Sequence, residues 1–91
     1  MPSISSSDRY ENVPTASVYD TFAELATQLT GRYTRLSDTA PSAAEREQWW
    51  QKVLELRDTK RAVPAYDRAA LIAHISKWEA ELARLQGDHR G

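Results

Sequence analysis

The 91-residue chain contains no cysteine, and it has only 3 glycines and 2 histidines. Without cysteine it can form neither a disulfide nor a thiolate metal site. The glycines, Gly31, Gly87 and Gly91, are too scattered to form a phosphate-binding loop. No apolar run approaches the length of about 18 residues that indicates a membrane-spanning helix, so we expect no membrane association.

The chain also lacks an excess of either charge. Lysine and arginine total 12 and aspartate and glutamate total 13, giving a net charge of -1. Nucleic-acid binding proteins usually carry a basic excess, so nucleic acid is not the expected partner. Residues 1–10 lack the basic start and apolar centre of a secretory signal, which predicts a cytoplasmic protein.

The length suits one domain. Residues 1–14 are rich in serine, include Pro2 and Pro14, and show no hydrophobic period, which predicts a flexible N-terminal arm. A helical bundle is then expected over residues 15–87, followed by a short tail at residues 88–91.

The first predicted helix begins near Ser17, which with Asp20 has the spacing of a capping box. Its apolar residues recur with the 3.6-residue period of an amphipathic helix. Gly31 lies inside this pattern, and either close packing against a neighbouring helix or a bend would explain it. The apolar face consists of Val18, Phe22, Leu25, Leu29, Tyr33 and Leu36.

Two more helices follow. Ser42 and Glu45 form a capping box that opens the second helix, Pro64 ends it, and Asp67 is an N-cap for the third. Gly87 is expected to stop the third helix. Short connections favour antiparallel neighbours, so we predict an all-α fold, an antiparallel three-helix bundle with a flexible N-terminal arm. The expected core residues are Trp49, Val53 and Leu56, then Leu71, Ile72, Ile75, Trp78, Leu82 and Leu85.

Residues for catalysis are sparse. His74 has no histidine or carboxylate at the spacing of a helical metal site, so we expect it on the surface or half-buried. Carboxylates are scattered along helix surfaces with no apolar cleft to shift a pKa. We therefore predict no enzyme activity, no metal and no cofactor.

Two clusters suggest binding. Basic residues gather in the second helix and just beyond it, although Glu55, Asp58 and Asp67 interrupt them and favour a solvated, salt-bridged face. Trp49 and Trp50 point about 100° apart on one helix. Either both flank the core, or one of the two is partly exposed and anchors a partner. The basic residues are Lys52, Arg57, Lys60, Arg61 and Arg68.

The order of an N-terminal arm, a helix starting Ala-Ser-Val-Tyr-Asp at residues 16–20, and two further helices resembles the epsilon antitoxins of the epsilon/zeta toxin–antitoxin systems. The stretch from Leu54 to Trp78 carries a second part of the resemblance, with Tyr66-Asp67 before an aliphatic helix. The Ser-rich arm and Gly31 depart from the family pattern.

The resemblance implies a partner, a P-loop kinase toxin that phosphorylates UDP-N-acetylglucosamine. It implies that the arm and the first helix block the nucleotide site of the toxin, and that the two proteins form a heterotetramer. The open alternatives are a homo-oligomeric helical adaptor and a small nucleic-acid-binding protein. The expected partner-binding residues are Tyr10, Glu11, Tyr19, Asp20, Glu24 and Trp50.

Overall fold

The computed structural model describes residues 9–88 and contains three helices in that range. Helix α1 spans Thr15–Thr39, α2 spans Ala43–Ala62 and α3 spans Arg68–Asp88. No strand occurs among the described residues. The predicted all-α, three-helix fold is therefore confirmed.

Helix α1 lies between the other two helices. The Ser37 hydroxyl at its end donates to the Arg46 carbonyl near the start of α2, at 3.0 Å. On its other side, the ring of Phe22 stacks on Trp78 of α3 with 4.8 Å between centroids. No Cα atom of α2 comes within 8 Å of one in α3, so α1 joins two helices whose backbones stay apart.

The helix ends show which caps the sequence predicts correctly. The Ser42 hydroxyl accepts from the Glu45 amide at 3.1 Å, and the Asp67 carboxylate accepts from the Ala70 amide at 3.2 Å. The predicted cap at Ser17 is wrong, because α1 begins two residues earlier, at Thr15, without a side-chain cap. The carbonyl of Pro14 instead accepts from Ser17 and Val18. Helix α3 runs on past Gly87.

The core matches the predicted apolar faces. Almost every expected residue is buried, and the exceptions, Leu36 and Trp49, are half-buried and pack against the core. Burial of these side chains provides the main stabilising free energy of the fold. The largest side chains that are fully buried are Val18, Phe22, Leu29, Leu71 and Ile75.

Residues 9–14, the described part of the predicted N-terminal arm, pack on the bundle and include a turn at residues 10–12. The ring of Tyr10 is only 9% exposed and belongs to the core. Arg68 of α3 donates to the carbonyls of Tyr10 and Val13, and Arg9 pairs with Glu79 at 3.2 Å. A single aromatic residue has no period, so the sequence pattern could not reveal this packing. Residues 1–8 and 89–91 lie outside the described residues.

Gly31 is exposed, and α1 continues unbroken through it. A methyl group added there would meet no atom within 4 Å, so the proposed close packing at Gly31 is wrong. No helix in the described part of the chain is long and apolar enough to cross a membrane.

Candidate protein-docking surfaces

The six residues expected to bind a partner do not form one surface. Tyr10 is buried, and Tyr19 is half-buried with its ring 5.9 Å from Phe22. Glu11, Asp20, Glu24 and Trp50 are exposed. Tyr10 is therefore inaccessible while residues 9–14 stay packed, and only the four exposed residues are free to meet a partner directly.

Two of these residues form an acidic face on α1, made of Asp20 and Glu24. They lie four residues apart, so their side chains are one turn from each other on the same side of the helix. Both are exposed, and Glu24 accepts a bond from Gln28 on the next turn at 3.4 Å. This face is open to solvent and able to meet a cationic surface.

The tryptophan pair is divided between core and solvent. The ring of Trp49 stacks on Tyr33 with centroids 5.9 Å apart. Trp50 is 44% exposed, so the predicted choice between two flanking rings and one exposed ring is resolved in favour of an exposed Trp50. Leu54, four residues later and half-buried, extends this apolar surface along α2.

A central groove of about 440 Å³ lies between α2 and α3. Its floor consists of Tyr33, Leu56 and Trp78, and charged residues from both helices form its walls. The groove exists because α1 separates the two flanking helices. Its walls carry charges of both signs, on Lys52, Glu55, Lys77, Glu81 and Arg84.

One hydrogen-bonded network sits in this central groove. The Tyr33 hydroxyl donates to Glu81 at 2.6 Å, and Arg84 donates to the same carboxylate at 2.8 Å. The bond from Arg84 is the main cause that lowers the pKa of Glu81 to about 2. Burial, followed by the bond to Glu81, raises the pKa of Tyr33 above its ordinary value. The network ties α1 to α3 and holds Glu81 as an anion.

A second groove follows the contact between α1 and α2. We call it the basic groove and define it by Ala26, Thr27, Thr30, Val53, Leu56, Arg57 and Lys60. Its volume is about 290 Å³. A neighbouring hollow shares Arg57 and Lys60 and adds Tyr19, Arg61 and Val63. The two hollows together form one channel beside the C-terminal half of α2.

The predicted basic cluster is divided among three places. Lys52 lies in the central groove, while Arg57, Lys60 and Arg61 line the channel beside α2. Arg68 holds residues 9–14 through their carbonyls. The five cations therefore do not form a continuous surface that could follow a phosphate backbone.

His74 is half-buried, as expected, with its ring 5.6 Å from Trp78 and 6.1 Å from Phe22. Among the described residues, no group of three or more histidine, aspartate or glutamate side chains is arranged to hold a metal ion.

The sequence pattern did not reveal either groove. Hydrophobic period predicts which face of each helix is buried, but not which helices remain apart. The sequence did show the cations Arg57, Lys60 and Arg61 close together on α2. It could not show that Ala26 and Thr30 of α1 lie beside them and complete the groove.

Comparison with protein-family models, curated proteins and solved structures finds no match to this chain. The resemblance to epsilon antitoxins therefore rests on the residues quoted from the sequence.

Proposed function

We propose that this protein is an antitoxin-type inhibitor that binds a P-loop kinase toxin of the zeta class. The acidic face of α1 is the surface that would meet the nucleotide site of the kinase, together with Glu11 in the turn before α1. The observation that supports this proposal most directly is that Asp20 and Glu24 are both exposed and lie one turn apart.

The chemistry of a P-loop site supports this choice of surface. Such a site gathers lysine, arginine and backbone amides around the phosphates of the nucleotide. Carboxylates form strong charge-assisted hydrogen bonds with these groups. A helix that places two carboxylates in the site would compete with ATP both by charge and by volume.

The test first determines whether a neighbouring gene encodes a P-loop kinase, and then assays that kinase with and without the chain. The double variant Asp20→Asn/Glu24→Gln removes the charges of the acidic face and keeps the side-chain shapes. Its matched control is Asp38→Asn/Glu47→Gln, which removes two exposed carboxylates elsewhere. Circular dichroism verifies that both variants fold.

We expect the wild-type chain and the control to suppress kinase activity equally. The acidic-face variant should raise the inhibition constant by about tenfold or more, because close interfacial charge pairs contribute on the order of 1.5 kcal/mol or more. Equal inhibition by the acidic-face variant would contradict the assignment of this surface. A neighbouring gene without a P-loop kinase would contradict the proposed partner.

The second candidate function is a homo-oligomeric adaptor, and the exposure of Trp50 favours it. Trp50 and Leu54 form an apolar surface on α2 that a second copy could cover. Sedimentation at several concentrations separates the two functions. A concentration-dependent dimer that Trp50→Ala abolishes would favour the adaptor, and a monomer at all concentrations would favour the inhibitor.

A further inference from the structure

The basic groove has a composition that sets it apart from the central groove. Its floor is formed by Ala26, Val53 and Leu56, and one edge carries the cations Arg57 and Lys60. Arg61 extends this edge in the adjoining hollow. None of the described residues that line the two hollows is an aspartate or a glutamate. The central groove, by contrast, places carboxylates beside its cations.

The cations of this edge form few ion pairs with carboxylates of the same chain. Arg57 pairs with Asp58 at 3.6 Å, and both side chains are largely exposed. No ion pair to Lys60 or Arg61 forms within residues 9–88. The helix dipole favours cations in the last turn and accounts for Lys60 and Arg61. It does not account for Arg57, which lies a turn earlier.

From this composition we infer that the basic groove docks an amphipathic helix of a partner protein whose outer edge carries aspartate and glutamate. Two antiparallel helices present a groove into which the side-chain ridge of a third helix packs. Small side chains at Ala26 and Thr30 leave room for that ridge. The cationic edge then pairs with the acidic edge of the incoming helix, which provides complementary charge.

Trp50 fixes where the apolar end of the partner helix lies. It precedes Arg57 by seven residues, which is close to two full turns, so both residues face the same side of α2. The separation along the helix is about 10 Å. The partner helix should therefore place an apolar side chain against Trp50 and its carboxylates against Arg57, Lys60 and Arg61.

The observations favour a protein helix over nucleic acid. The floor of the basic groove is apolar, and its cations lie only along the α2 edge, so the groove offers no positive surface on both sides to follow a phosphate backbone. The chain as a whole carries a net charge of -1. This inference does not depend on the kinase proposal, which uses the acidic face of α1.

The experiment selects from a displayed library of 18-residue helical peptides against the full chain. We expect the enriched peptides to combine an apolar stripe with aspartate and glutamate beside it. Enrichment of basic or uncharged peptides, or no enrichment, would overturn the inference. If a single-stranded oligonucleotide binds more tightly than the enriched peptides at the same salt concentration, the inference is overturned and the groove binds nucleic acid.

The enriched peptide is then titrated against three variants. Arg57→Gln/Lys60→Gln/Arg61→Gln should weaken binding about tenfold, and Trp50→Ala should weaken it about fivefold. The matched control Arg32→Gln/Arg35→Gln/Lys77→Gln removes three cations outside the basic groove and should change affinity less than about twofold. Equal losses in the two triple variants would show a non-specific charge effect and would overturn the inference.

Discussion

Helices α2 and α3 flank the same central helix, yet they bury different numbers of side chains. Helix α2 places only Val53 and Leu56 in the core over its 20 residues. The 21 residues of α3 contribute six buried side chains. Those six residues are Leu71, Ile72, Ile75, Trp78, Leu82 and Leu85.

This difference divides the molecule into two parts. We call the pair of α1 and α3 the scaffold, and α2 the presenting helix. The pair of α1 and α3 contains the stacked Phe22 and Trp78 and also the network from Tyr33 to Glu81. Helix α2 carries the exposed Trp50 and the cations that line the basic groove. A helix that buries few side chains and exposes an aromatic residue leaves much of its surface accessible for binding.

The largest expected effect comes from a matched pair of leucines. Leu71→Ala in α3 removes a side chain with no exposed surface and should lower the free energy of unfolding by about 4 kcal/mol. Leu56→Ala in α2 removes the same atoms beside two open grooves, so solvent can fill the space and the loss should be about 2 kcal/mol. Urea denaturation measures both. Equal losses would remove the distinction between the two helices.

The next effect concerns the turn that α3 holds. Arg68→Ala removes the bonds to the carbonyls of Tyr10 and Val13 and should cost about 2 kcal/mol. Hydrogen exchange at the Val13 amide, which donates to the Tyr10 carbonyl, should accelerate. The control Arg61→Ala, on the exposed surface of α2, should change stability by less than about 0.5 kcal/mol. Unchanged exchange at Val13 in Arg68→Ala would show that the buried ring of Tyr10 alone holds the turn.

A pH series tests the polar link between α1 and α3. The folded pKa of Glu81 is about 2, below its ordinary value of 4.5, so its contribution is present above pH 4.5 and is lost as the pH falls toward 2. Because Arg84 is 52% exposed, solvent screening reduces this contribution to about 1 kcal/mol.

The variant Glu81→Gln should therefore be less stable than the wild type by about 1 kcal/mol at pH 7, and the gap should narrow below pH 4.5 and close as the pH falls to about 2. Urea denaturation at each pH measures it. Tyr33→Phe is the control, and it should keep most of the pH dependence because it leaves the pair with Arg84 intact. A gap that is constant with pH would contradict the role assigned to the ion pair.

The smallest expected effect is a gain. Gly31→Ala should stabilise the chain by about 0.7 kcal/mol, because the methyl group meets no neighbour and alanine has the higher helix propensity. Gly87→Ala lies one residue from the end of α3, where helices fray, and should gain less. Thermal unfolding compares the two. A loss at Gly31 would mean that the backbone there approaches another surface.

Much of the fold could be predicted because each helix carries its own period and caps. The burial of Phe22, Leu29 and Ile75 follows from spacing alone, and so do the caps at Ser42 and Asp67. The start of α1 could not be predicted in this way, because a proline carbonyl replaces the side-chain cap.

The arrangement of the helices was harder to predict than their limits. A periodic pattern shows that a helix has an apolar face, but α1 has a face wide enough to meet two partners. Around the helix axis, its buried residues lie on both sides of a line through Phe22 and Leu29. Leu25 lies on one side of this line, and Ala26 and Ser37 lie on the other. The grooves depend on that central position, so they follow from tertiary packing and not from any local signal. Tertiary packing also decides the exposure of Trp50, so the sequence left it as one of two alternatives.

Native-state hydrogen exchange, resolved by residue on the free chain, tests the central claim most directly. Amides in the middle of α1 and α3 should exchange only through the highest-energy openings, while those in the middle of α2 should exchange through openings of clearly lower free energy. Protection of α2 equal to that of α3 would contradict the division into a scaffold and a presenting helix.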